Sequence, residues 1–363
     1  MNIITADQRI SPPPPRRPWA IYWPAIGVAV LLALYTAYWF VASGKVREGI
    51  ENFAATPQDV VASWSELSMG GYPYRISANF EHPKLIAPNT PEAWEWNADA
   101  LEADLLPYNL QHIVLKVEGA QTLRYRDVSN GNAQHLLKLN AEGSWASYGV
   151  EENAPLGRLA IDIKKAIGQL DARENYSAER LQLHLRPVPE ETGAPATGTR
   201  DYDLALQGEA LILDPSRASA ALGPNIALFV AQTRARKVPV ANRASFVELL
   251  KTWRAAEGTL AVSDLTLKWG ALDMTARGEL HLDEEARFAG RLDAVFTKYE
   301  DLLKALVTAG VVTEQQAKIA SVGLSFFSQF QGSKQGAVKL PLVMRNGTLF
   351  LGPLPIGQLD PLY

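Results

Sequence analysis

Strict two-residue alternation dominates the chain beyond its first fifty residues. Leu272, Met274, Ala276, Gly278, Leu280 and Leu282 fall on one side of an extended segment. Asp273, Thr275, Arg277, Glu279, His281 and Asp283 fall on the other. That period predicts a strand with one apolar and one wet face. Phe288, Gly290, Leu292, Ala294 and Phe296 repeat the pattern after the polar turn Asp283-Glu284-Glu285, which predicts a hairpin. Tyr202, Leu204, Leu206, Ala210 and Ile212 alternate with Asp203, Gln207 and Glu209, and Leu181, Leu183 and Leu185 with Gln182 and His184. Leu137, Leu139, Ala141 and Trp145 are expected to share a face opposite Lys138, Asn140, Glu142 and Ser144. Asn346-Gly347 is a favoured two-residue turn between two further strands. At least eight or nine strands emerge, and clean alternation belongs to antiparallel sheets with one solvated face rather than to a doubly wound parallel fold.

Three segments switch to helical spacing. Ser245 with Glu248 forms a capping box ahead of Phe246, Leu249, Leu250 and Trp253, and Gly258 ends the run. Tyr299, Leu302, Leu303, Leu306 and Val307 make a second amphipathic helix that stops at Gly310. Thr313 with Gln316 caps a third, running toward Phe327. The fold class expected is therefore α+β, mainly β, with curved antiparallel sheets and a few amphipathic helices packed on them. Residues 187–198, rich in Pro, Gly and Thr, are the best linker. They divide an N-terminal β-rich half (47–186) from a C-terminal β-rich half with helices (199–363).

The N-terminal region carries neither period. Ala20 to Ala42 is an uncharged run of 23 positions, bracketed by Arg16 and Arg17 before it and Lys45 and Arg47 after it. As a helix it is long enough to cross a hydrocarbon core of roughly 30 Å. Trp19, Tyr22 and Trp23 at one end and Tyr35, Tyr38 and Trp39 at the other are expected to sit at headgroup level. A cleaved signal peptide has the same charge-then-apolar order, but its apolar region is shorter and the small-residue match at Phe40 to Gly44 is only passable, so an uncleaved anchor is favoured. The tail, residues 1–19, carries Arg9, Arg16 and Arg17 against Asp7, which places it in the cytoplasm and the body outside the inner membrane, in the periplasm. Pro12 to Pro15 form a stiff extended stretch within it. Ala25, Ala29, Ala33 and Ala37 recur every four residues, a small-residue stripe that lets another transmembrane helix approach.

Charge and composition narrow the function classes. The chain has 35 basic and 39 acidic residues, and without the tail 32 against 38, so it presents no concentrated basic surface for nucleic acid. It has no cysteine, which excludes disulfides and thiolate chemistry. The five histidines, His82, His112, His135, His184 and His281, are scattered, and none has metal-helix spacing. No nucleophile elbow, phosphate loop or dinucleotide fingerprint is present, so neither an enzyme nor a cofactor is expected. Arg234, Arg236, Lys237 and Arg243 gather positive charge around Pro239, as either a solvated loop or a site for anionic groups.

Three segments carry a family resemblance. They are Met69-Gly70-Gly71-Tyr72-Pro73-Tyr74-Arg75-Ile76, the Leu265-x-Leu267-x-Trp269-Gly270 stretch leading to Ala276-Arg277-Gly278-Glu279-Leu280, and the closing Asn346-Gly347-x-Leu349-x-Leu351-Gly352-Pro353-Leu354-Pro355-Ile356-Gly357. With these the chain resembles an uncharacterised proteobacterial family of single-span envelope proteins carrying one domain of unknown function. More loosely, the C-terminal strands and glycine-proline ending resemble AsmA-like envelope proteins, which implies an anchored, curved sheet that carries lipid. The expected function is an anchored periplasmic protein that binds membrane lipid or another hydrophobic ligand in an apolar sheet groove. The alternative is a non-enzymatic scaffold for an envelope membrane-protein partner, with the oligomeric state open.

Overall fold

A computed structural model of the chain describes residues 22–56, 59–129, 131–151, 154–172, 174–189, 198–213, 221–240, 245–310, 312–330, 337–352 and 354–363. It opens with one helix, α1 (Trp23–Ala55), which is longer than the apolar run. Pro24 occupies its first turn, where the missing N–H costs nothing. Beyond Ala42 the helix continues through charged residues, supported by the pairs Lys45–Glu48 (2.6 Å) and Arg47–Glu51 (2.8 Å) one turn apart. The first residues assigned to the β-rich body therefore belong to this helix.

Every strand pairing is antiparallel. A short N-terminal group comprises β1 (Val61–Ser63), β2 (Glu66–Gly70), β3 (Ile76–Glu81) and β4 (Lys84–Ala87). β3 and β4 share the long strand β5 (Trp94–Leu106) as neighbour, while β2 pairs with β3 and β1 with β4. From β5 the sheet is a meander in which each strand pairs with the next in sequence. It comprises β6 (Asn109–Asp127), β7 (Ala133–Glu151), β8 (Ala154–Leu170), β9 (Glu174–Pro187), β10 (Thr199–Ile212), β11 (Asn225–Pro239), β12 (Thr259–Trp269), β13 (Leu272–Leu282), β14 (Phe288–Thr297), β15 (Ala337–Arg345), β16 (Thr348–Leu351) and β17 (Leu354–Gln358). The single antiparallel sheet does not close into a barrel. The ladder between β9 and β10 crosses the expected boundary at 187–198, so the two halves share one sheet; 190–197 lie outside the described residues. Asn346 and Gly347 both take positive φ, 49° and 71°, as the hairpin turn requires.

The long strands are creased along one cross-strand row. Register breaks between Ala98 and Ala100 and between Val117 and Gln121, where Gly119 takes φ 76° and Ala120 N–H donates to the Asp99 carboxylate at 2.7 Å. Lys165 (φ 48°) and Ala210 (φ 47°) continue the line through β8 and β10. Such bulges bend a strand and re-aim its side chains. The alternation expected for β7 is corrected here. Gln121, opposite Leu139, donates to Ser144 at 3.0 Å, and both are buried, so Ser144 joins the face of Leu139. Trp145 instead lies on the polar side, between Lys116 and Asp162, with the Lys164 ammonium 5.2 Å from its ring centre.

Three helices pack on the sheet as the spacing predicts: α2 (Phe246–Ala255), α3 (Tyr299–Thr308) and α4 (Glu314–Phe330). Ser245 caps α2 by accepting from Glu248 N–H at 3.2 Å, and Thr313 and Gln316 cap α4 reciprocally. Leu303 of α3 and Leu324 of α4 cover a core centred on Leu292, Ala294 and Val338. α2 buries Leu250 and Trp253 against Tyr202, Val238 and Leu282.

Candidate functional site

The site is built from cross-strand rows. Residues directly opposite in an antiparallel ladder project to the same side. One row runs Met69, Ala78, Ala103, Leu115, Ala146, Ile161, Leu183, Leu206, Ala231, Leu265, Ala276, Ala294, Leu340 without a polar side chain. It crosses thirteen strands. The parallel row beside it contains Leu67, Phe80, Leu101, Val117, Ser144, Ile163, Leu181, Gly208, Phe229 and Leu267, and on the other side runs Ile76, Leu105, Ile113, Tyr148, Leu159, Leu185, Leu204. The intervening row, with Asn79, Glu102, Lys116, Asp162, Gln182 and Gln207, points to the opposite side.

Helices cover the two ends of this apolar face and leave its middle open. At one end Trp39, Ala42 and Val46 of α1 pack on Ile76, which is fully buried, and Ile50 packs on Leu67, Ala78 and Ala103. At the other, α2, α3 and α4 bury the rows of β12 to β15. Between them Ile161, Ile163, Leu181, Leu183, Leu206 and Phe229 remain half-buried and line a cavity of about 300 Å³. A second apolar cavity, about 360 Å³, lies under the inner half of α1, lined by Ile50, Phe53, Trp64, Phe80, Trp96 and Leu101. The row Phe80–Leu101–Val117 to Phe229 connects the two. From β5 to β11 it spans six strand spacings, roughly 29 Å.

One carboxylate ties the loop before β5 to the start of α2. Glu92, in the loop before β5, accepts from Val247 N–H at 2.7 Å and from the Ser245 hydroxyl at 3.1 and 3.2 Å, capping α2 across 153 positions of sequence. A carboxylate at a helix N-terminus satisfies free N–H groups and opposes the helix dipole.

The polar side carries its own hollow, about 670 Å³, and this is where Arg234 and Arg236 come to lie, with Arg158, His184, Arg186 and Asp203. Its cations have acidic partners. Asp203 meets Arg234 at 2.8 Å and Arg186 at 3.1 Å, Arg236 meets Glu279 at 3.1 Å, and Arg158 meets Glu151 at 2.8 Å. Arg234, then Arg186, hold the Asp203 carboxyl below the usual range against the opposing effect of burial. Lys237 reaches Glu257 at 3.7 Å, and Arg243 lies outside the described residues. His135 is wedged between Asp171 (2.7 Å) and Asp127 (3.8 Å) at the far end of β7, while His184 and His281 lie on the wet side.

The residues expected to anchor the chain divide into two sets. Trp23, Ala25, Ala29, Ala33 and Ala37 are exposed along α1, and Trp19 lies outside the described residues. Trp39, expected as an interfacial ring, is instead 4% exposed and donates its indole N–H to Arg75 C=O at 2.9 Å. Alternation signalled the apolar face, but the helix-to-sheet seam had no signal in hydropathy, because a ring facing lipid and a ring facing Ile76 read alike.

Comparison with known proteins adds a family and no activity. No curated protein and no solved structure matches, so the resemblance to AsmA-like proteins finds no counterpart there. A family model described as an uncharacterized protein conserved in bacteria matches residues 39–360. That span takes in the seam at Trp39, the whole sheet and the three covering helices, and the chain belongs to this uncharacterised bacterial family, DUF2125.

Proposed function

We propose that this protein is anchored in the inner membrane by α1 and binds lipid, or another hydrophobic ligand, in the apolar trough, as a binding protein rather than an enzyme. The observation that supports this reading is the set of three apolar rows, open in the middle and running to the side of the apolar helix. Soluble proteins rarely leave a contiguous apolar face uncovered unless something binds there. Cavities of a few hundred Å³ with apolar walls suit small hydrophobic ligands. The three arginines against one acid in the tail favour a cytoplasmic N-terminus and a periplasmic sheet.

Adjacent positions on opposite sides of one strand provide the test. A photoreactive benzoylphenylalanine replacing Leu183 in the full chain, expressed in bacterial cells, is expected to capture a phospholipid or fatty acid, identified by adduct mass. The same group replacing His184, exposed on the polar side, is expected to capture none. Equal labelling, or none at Leu183 and Phe229 alike, would remove the lipid reading.

A scaffold role draws on a separate observation, the exposure of Ala25, Ala29, Ala33 and Ala37 along one side of α1. It requires that Ala29→Leu with Ala33→Leu abolish co-purification of a membrane partner while leaving lipid adducts unchanged.

A further inference from the structure

We infer that two hairpin tips, Gly70 to Tyr74 between β2 and β3 and Leu106 to Leu110 between β5 and β6, rest in the headgroup layer of a phospholipid bilayer. They form a second membrane contact beside α1. The inference rests on the reading of α1 as a membrane span, and it starts from a shortfall in length. From Trp23 to Leu34 the helix is exposed on every side. Those twelve residues measure ~18 Å, against a hydrocarbon core of roughly 30 Å.

The missing depth falls on the stretch where the helix is already clamped to protein. Tyr35 donates its hydroxyl hydrogen to Pro73 C=O, Thr36 and Tyr72 share a hydrogen bond at 2.7 Å, and Tyr38 donates to Pro107 C=O at 2.6 Å. The groups that receive these bonds belong to the two tips. A span that includes Tyr35 to Tyr38 therefore carries both tips to the same level.

The tips are dressed for that level. Neither Gly70 to Tyr74 nor Leu106 to Leu110 contains a charged residue. Tyr74 and Tyr108 are 83% and 82% exposed, and Leu110 and Tyr72 about half exposed. Phenol rings favour the interface, where the ring meets acyl chain and the hydroxyl meets water. The nearest cation, Arg75, is occupied by Asp104 at 2.7 Å and Glu102 at 3.1 Å. The contact thus asks for bilayer depth and not for anionic lipid. The apolar row that starts at Ile76 begins beside it, beneath α1.

The chain has no cysteine, so single cysteines can be placed at will. The full chain, reconstituted in phosphatidylcholine vesicles, is labelled with an environment-sensitive fluorophore in the variants Tyr74→Cys, Tyr108→Cys, Leu31→Cys and Ser129→Cys. Nitroxide-bearing phosphatidylcholine then acts as quencher. Ser129 is exposed in the turn after β6, at the end of that strand away from Tyr108. Several-fold quenching at 74 and 108 by shallow nitroxides, deep quenching at 31 and none at 129 is the result expected. Quenching at 31 with none at 74 and 108 overturns the second contact and leaves the span intact. No quenching at 31 overturns the span and this inference with it. Quenching at 74 and 108 that appears only with anionic lipid overturns the depth argument in favour of charge.

Discussion

At the scale of single residues, the clasp at Glu92 has the largest expected effect for its size. Replacing it by Ala leaves Val247 N–H and the Ser245 hydroxyl without their acceptor. A loss of about 1–2 kcal/mol is expected by urea unfolding, and Glu92→Gln should recover part of it. Gly290 is a second fixed point. Its φ is 135°, and a methyl group there would lie 2.4 Å from Glu279 C=O, so Gly290→Ala should cost roughly 2–4 kcal/mol. Acid sensitivity follows from Asp203 and Asp162, held below the ordinary carboxylate range by Arg234 and Arg180 respectively. A depressed folded pKa contributes stability in full above the unfolded value near ~3.9 and loses it as pH falls through the folded value. Stability should thus be flat near neutrality and begin to fall below about pH 5, more shallowly in Asp203→Asn, as acid titration of unfolding would record. Of these residues, alternation made Asp203 legible as a wet-face acid. Glu92 was not, since a carboxylate in a polar loop looks solvated until a helix start 153 positions away is brought to it.

Among the elements, the strand pattern and the three capped helices were readable because each residue's role there is local: capping boxes at Ser245 and Thr313, and period two in β13 and β14. Two features were not. The crease depends on positive φ at Lys165 and Ala210, residues with no preference for it, and pattern alone continues the alternation straight through. The extension of α1 to Ala55 was hidden by Lys45 and Arg47, which read as the end of a span when they only begin the part of the helix lying against the sheet. Trp39→Ala should loosen this seam by about 3–5 kcal/mol, as removal of a buried Trp does elsewhere. Trp39→Phe should cost about 1–2 kcal/mol, because the Arg75 carbonyl loses its donor. Thermal unfolding of the reconstituted chain separates the two.

At the scale of the molecule, the packing of α1 on Ile76 predicts that helix and sheet unfold together, which a pair of truncations can check. A fragment beginning at Tyr35 keeps Trp39, Ala42 and Val46 on Ile76, whereas one beginning at Arg47 uncovers it. The shorter fragment is expected to melt well below the longer by circular dichroism. The meander also dictates an order of assembly. From β5 to β9 each strand finds its partner in the hairpin just made, so a chain emerging N-terminus first adds this part of its sheet one hairpin at a time, with only short loops to close, whereas the later connections that carry α2, α3 and α4 are longer. Glu92 is made early and waits for a helix synthesised long after. On the anchored reading proposed above, a growing sheet lies with its greasy side unguarded next to the bilayer until α2 arrives. Such a nascent chain is expected to need a holding chaperone, and the interval shortens stepwise as α2, then α3 and α4, dock.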